Sequence, residues 1–113
     1  MHNKAPEYHI PVLGPEVSDH LISDRDGIYV DATLGGGGHA ESILSELSPQ
    51  GSLIGIDRDP EAITKTSQRL ARFEKQVVFH QVPFWQLPEI LTEQGVTQIA
   101  GILFDLGLSS HQI

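Results

Sequence analysis

Four consecutive glycines, Gly35-Gly36-Gly37-Gly38, interrupt an apolar run and lead straight into His39 within IYVDATLGGGGH, residues 28–39. Glycine is entropically costly to order, so four in a row do not serve a core. They do let a backbone come close to a ligand, and the N–H groups of a following helix favour a carboxylate or phosphate. The run fits the looser GxGxxA form of a dinucleotide fingerprint, because Ala40 stands where a third glycine would be. A plain flexible strand-to-helix turn would look the same. Asp57 tips the reading. It ends the next apolar run 22 positions after Gly35. An acid at that place accepts hydrogen bonds from the two hydroxyls of an adenosine ribose. Capping of the next helix is the competing role for Asp57, but Asp59 in IDRDP is better placed for it.

Both NAD and S-adenosylmethionine fit a glycine loop with a ribose acid. Asp31 separates them. It lies inside the first strand, where a dinucleotide-binding strand is normally apolar. A carboxylate there meets the ammonium of a methionine moiety, helps balance a sulfonium and repels a pyrophosphate. The net charge of −8 also suits a cationic cofactor better than an anionic one. Asp105, in the apolar run GILFDLG, needs a partner to offset its desolvation. A target amine, the methionine part of the cofactor, or a purely structural contact would each supply one. Phe84 and Trp85 can stack on adenine, although Trp85 reads equally well as a core or surface aromatic. His39 can sit over the cofactor, and His80 reads as a packed or edge residue. The remaining histidines have no metal-ligand spacing, and no metal site is expected. No Ser-His-Asp arrangement points to a nucleophile.

These residues need elements to position them. Ile28–Thr33, Ser52–Ile56, Val77–Val82 and Ile99–Leu106 read as strands. His39–Leu47, a segment capped by Asp59 and running to about Phe73, and Trp85–Gln94 read as helices, the last stopped by Gly95. Glu16–Ile22 reads as a short helix. The opening dozen residues read as irregular, with Pro6, Pro11 and Pro15 keeping the chain extended or in turns. Strand–helix alternation indicates a parallel sheet with helices on its faces. Ligands bind such sheets beyond the carboxyl ends of the strands, near a topological switch point, and the chemically interesting residues fall at those ends.

Composition sets bounds. The 113 residues, 39% hydrophobic and 19% charged, correspond to one domain with a modest core. No apolar stretch is long enough to span a membrane, the first residues lack a secretory pattern, and the absence of cysteine excludes disulfides and thiolate metal sites. A cytoplasmic protein is the expectation. Only seven basic residues are present, which argues against binding a phosphate backbone by charge alone.

Four motifs in order carry a resemblance: HIPVL at 9–13, DGIYVDATLGGGGH at 26–39, IGIDRDP at 54–60, and GILFDLGLSS at 101–110 followed by Gln112. Together they resemble the N-terminal part of the MraW/RsmH family, S-adenosylmethionine-dependent methyltransferases acting on N4 of a cytosine in small-subunit ribosomal RNA. The RNA target comes from the resemblance alone. It implies cofactor contacts at Gly37, Gly38, His39, Asp57, Phe84, Asp105 and Gln112, beside Asp31 from the reading above. Asp105 and Ser109 are candidates for orienting the cytosine amine or removing its proton. The sequence departs from the family in having His111 where a proline is usual and Ala100 where an acid is usual. Family members are also about three times as long.

The expectation is an α/β, Rossmann-like methyltransferase fold, a parallel sheet with flanking helices that stops after the fourth strand. Residues 1–27 form an N-terminal extension with a short helix, and residues 28–113 the N-terminal half of the cofactor-binding domain. Strand four is then expected at an exposed edge, with the RNA-binding surface mostly in the missing portion. Two other classes compete: a non-catalytic or decayed cofactor-binding fragment, and an NAD-dependent oxidoreductase fragment.

Overall fold

A computed structural model describes Val12, Leu13, Ile22 and residues 24–104. Among these residues, five strands and three α-helices follow one another as β1 (Val12–Leu13), β2 (Ile28–Asp31), α1 (Gly38–Glu46), β3 (Ser52–Ile56), α2 (Pro60–Arg69), β4 (Val77–His80), α3 (Leu87–Glu93) and β5 (Gly101–Leu103). All strand pairs are parallel, in the order β1-β5-β2-β3-β4. The fold is the expected α/β Rossmann-like one. Among the described residues no helix is long and apolar enough to cross a membrane.

The strands are short β-branched and apolar runs, as parallel strands covered on both faces should be. Alternate residues build two cores. Tyr29, Leu53, Val77 and Leu103 face one side, packed with Ala40, Ile43 and Leu44 of α1 and with Leu70 just after α2. Val30, Ile54 and Ile102 face the other, packed with Ile90 of α3. Asp59 caps α2 as expected: its side chain accepts from the Glu61 N–H at 2.9 Å, and Pro60 occupies the first turn.

Boundaries differ where proline and tertiary pairing intervene. The stretch expected to be helical to Phe73 ends at Arg69 and resumes as a 3₁₀ turn over Ala71–Phe73. The helix expected from Trp85 begins as a 3₁₀ turn over Phe84–Gln86, after Pro83, before α3 proper. The third and fourth strands are shorter than expected, at Val77–His80 and Gly101–Leu103.

One expectation is overturned. Strand four of the sequence reading, β5 here, is not at an edge. Val12 and Leu13 pair beside it in register with Ile102 and Leu103. The prolines at 11 and 15 suggested irregular chain, yet Val12 and Leu13 between them keep the backbone N–H groups that a parallel ladder needs. Two such residues suffice for an edge strand, where proline is tolerated. Glu16–Leu21 lies outside the described residues, while Ile22 is buried in the first core.

The chain builds outward from β2 to β3 to β4, then returns to place β5 on the opposite side of β2. Chain direction across the sheet therefore reverses between β2 and β5. A crevice opens at such a reversal, at the carboxyl ends of the strands. Asp31 is the last residue of β2, and Asp57 follows β3 immediately.

Candidate functional site

Asp57 is held where β3 ends. Its backbone N–H donates to the His80 carbonyl at 3.2 Å, tying it to β4. One carboxylate oxygen accepts from the Asp59 N–H at 2.9 Å and the other from the Gly35 N–H at 3.2 Å. Asp57 thus organises its own turn and pins the start of the glycine loop, while Asp59 does the capping. Each carboxylate oxygen has a second lone pair, so the half-exposed group can still accept from a ligand.

The loop after β2 folds back across the end of β3. The Leu34 N–H donates to the Ile56 carbonyl at 3.3 Å, and the Gly37 N–H closes a turn onto the Leu34 carbonyl at 2.8 Å. Gly55 permits the crossing, because a methyl group there would lie 2.8 Å from a Leu34 methyl. Gly35 (φ +55°) and Gly37 (φ +89°) occupy the left-handed region that costs other residues strain. Gly37 is the N-cap of α1 and, having no side chain, supplies no side-chain cap.

A cavity of about 390 Å³ lies over this loop, lined by Thr33, Leu34, Gly35, Gly36, Gly38, His39 and Asp57. Added side-chain carbons at Gly35 or Gly36 would meet nothing within 4 Å. Gly37 is different: it is buried, and an added carbon would lie 2.9 Å from the Thr66 methyl of α2. Gly38 faces the Arg69 guanidinium. Gly35, Gly36 and Gly38 therefore line the cavity, and Gly37 packs tightly against α2.

Asp31 is completely buried at the carboxyl end of β2, and its Oδ1 accepts from the Thr33 N–H at 3.1 Å. Beyond β4, Phe84 is 45% and Trp85 60% exposed. Phe84 packs edge-on between Trp85 (5.6 Å between centroids) and Phe104 (5.7 Å), and the Arg58 guanidinium sits 5.9 Å from the Trp85 ring centre. Trp85 is thus a surface aromatic. His80 is half-buried on the edge strand β4, its Nε2 2.8 Å from the Gln94 amide nitrogen. Asp105, Ser109 and Gln112 lie outside the described residues.

Sequence reasoning missed the side chains that hold the loop from behind. Thr66 donates to the Gly35 carbonyl at 3.3 Å, and Arg69 donates to the Gly36 carbonyl at 3.3 Å. Glu41, in the first turn of α1, accepts from Arg69 Nε and Arg72 Nη1, each at 2.9 Å. Arg72 and then Arg69 hold the Glu41 carboxyl below its ordinary value. The available signal was the three-residue spacing of Thr66 and Arg69, which puts both on one face of α2.

The chain matches the MraW methylase family over residues 7–113. It is 47% identical over 106 residues to the ribosomal RNA small subunit methyltransferase H of Trichlorobacter lovleyi, covering 94% of this chain and 34% of that protein. The enzyme of the same name from Geotalea uraniireducens is 49% identical over the same coverage. The chain thus spans about a third of the length of these curated relatives. Among solved structures, an rRNA methylase from Streptococcus thermophilus superposes with a TM-score of 0.55 at 29% identity, over 65% of this chain and 44% of that one. Aeropyrum pernix fibrillarin with natively bound S-adenosyl-L-methionine shares the fold, with a TM-score of 0.57 at 15% identity over 74% of this chain and 35% of that one. With the whole chain from residue 7 onward inside the family's pattern, this protein belongs to the MraW methylase family.

Proposed function

We propose that this chain forms the cofactor-binding part of an S-adenosylmethionine-dependent methyltransferase that acts on N4 of a cytosine in small-subunit ribosomal RNA. A cytoplasmic location and an rRNA partner belong to the same reading. The observation that carries it is the pairing of two acids at neighbouring strand ends: Asp57, half-exposed and joined to the glycine loop, and Asp31, fully buried at the end of β2. The residues present fit the cofactor. Asp57 would accept from the ribose hydroxyls, and Phe84 would lie against the adenine. The backbone at Gly37, Gly38 and His39 would meet the methionine carboxylate, and Asp31 its ammonium. Asp105 and Gln112 are assigned to the cofactor by family resemblance.

When bound, the cofactor supplies a methyl already activated by its sulfonium. The protein's contribution is then chiefly proximity and orientation. Asp31 would supply a carboxylate at the buried end of β2, where a low dielectric strengthens attraction to a cation. Asp105 and Ser109 would orient the target amine and take its proton. No covalent intermediate on the protein is required.

Calorimetric titration of the 113-residue chain with S-adenosylmethionine and with NAD tests the reading. Binding of the former alone is expected, and Asp57→Ala should weaken it by roughly 10- to 100-fold, the range for a hydrogen bond to a charged acceptor. Binding of NAD in preference to S-adenosylmethionine would overturn the assignment.

A further inference from the structure

Helix α2 touches the glycine loop through two polar side chains one turn apart. Thr66 is completely buried, and its hydroxyl donates to the carbonyl of Gly35, 31 positions away in the chain. Arg69 donates to the carbonyl of Gly36, 33 positions away. Its Nε is held by Glu41 at 2.9 Å, so the guanidinium is anchored to α1 while it reaches the loop. Arg72 holds the other oxygen of Glu41.

These contacts fix peptide planes. No cis peptide occurs among the described residues. In a trans peptide the carbonyl of one residue and the N–H of the next point in opposite directions. A Gly35 carbonyl drawn onto Thr66 therefore turns the Gly36 N–H away from α2. A Gly36 carbonyl drawn onto Arg69 turns the Gly37 N–H away as well, towards the Leu34 carbonyl that it meets at 2.8 Å. Glycines need this restraint more than other residues, because both peptide planes can flip at little cost.

We propose that Thr66 and Arg69 are positioning residues for the cofactor: they set the Gly35–Gly36 and Gly36–Gly37 peptide planes so that the Gly36 N–H serves the cavity as a donor to an anionic or polar ligand group. The proposal rests on the cofactor reading above. It also explains why Gly37 faces α2 instead of the cavity: it makes room for the Thr66 methyl.

The test compares Thr66→Val, Thr66→Ser, Arg69→Met and, on the exposed side of α2, Lys65→Met, all in the 113-residue chain. Valine keeps the shape of threonine but removes its donor. Titrated with S-adenosylmethionine, Thr66→Val and Arg69→Met should each bind about 2- to 10-fold more weakly, the range for one net hydrogen bond. Thr66→Ser should restore affinity and Lys65→Met should leave it unchanged. Unligated NMR spectra provide a readout independent of the cofactor: the Gly36 amide should shift in Thr66→Val but not in Thr66→Ser, and the Gly37 amide should shift and exchange faster in Arg69→Met. Wild-type affinity and an unchanged Gly36 amide in Thr66→Val would overturn the proposal. If the wild type binds no S-adenosylmethionine, the cofactor reading fails, and the amide exchange alone decides whether α2 orients the loop.

Discussion

Gly35-Gly36 and Gly37 are adjacent in sequence, alike in residue type and opposite in surroundings. The first pair borders open space, where an added methyl would touch nothing within 4 Å. Gly37 packs on α2, where a methyl would collide with a buried threonine. One glycine run thus contains two devices. Its first half leaves room for something from outside the chain, and Gly37 lets a helix approach from within. Conformation does not draw the same line, since Gly35 and Gly37 both have positive φ. What separates the halves is what stands opposite each.

The largest consequence falls on the packed half. Gly37→Ala combines left-handed strain with a contact at 2.9 Å. Each costs about 1–3 kcal/mol, so a stability loss of about 2–6 kcal/mol is expected in urea unfolding. A loss under about 1 kcal/mol would mean that Thr66 and the loop separate easily, and that the two halves are less distinct than they look.

Gly36→Ala probes the open half. It has ordinary φ and empty surroundings, so its stability should stay within about 0.5 kcal/mol of wild type. Affinity for S-adenosylmethionine should nevertheless fall, because the methyl enters the cavity that Gly36 lines. Unchanged affinity together with unchanged stability would show that nothing approaches this side of the loop.

The smallest effect concerns the ion pairs behind the loop. Arg72 and Arg69 lower the Glu41 pKa from its ordinary 4.5. A lowered folded value means that Glu41 contributes fully above the unfolded value and loses its contribution as pH falls through the folded one. The melting-temperature difference between wild type and Glu41→Gln should therefore be constant from pH 7 to about pH 5 and shrink towards pH 3. It should also be modest, since the group is exposed and screened by solvent. A difference that grows in acid would reverse the assigned sign.

Much of this molecule is legible in its sequence because the signals involved are local. Ser52–Ile56 is a strand with the bounds its apolar run indicates, and Asp59-Pro60 starts α2 where a cap and a first-turn proline predict. The acid at the end of each of β2 and β3 is visible as a charge closing an apolar run. The strand at Val12–Leu13 was hidden because its partner, β5, lies at the far end of the described chain, and two residues between prolines carry almost no periodicity. Thr66 and Arg69 were hidden for a related reason. On an isolated α2 they are simply polar, and only the loop folded over them makes them donors.

The amino-acid sequence by itself therefore determined the alternation of strands and helices, and with it a parallel sheet whose strand ends carry Asp31, the glycines and Asp57. Periodicity, capping and glycine act over a few neighbouring residues, so they are written where they act. Only the tertiary structure decided which strand flanks β5, which glycines face the cavity, and which side chains hold the loop from behind. Those outcomes depend on atoms brought together from distant parts of the chain, and their energies exist only once the sheet has brought those parts into contact.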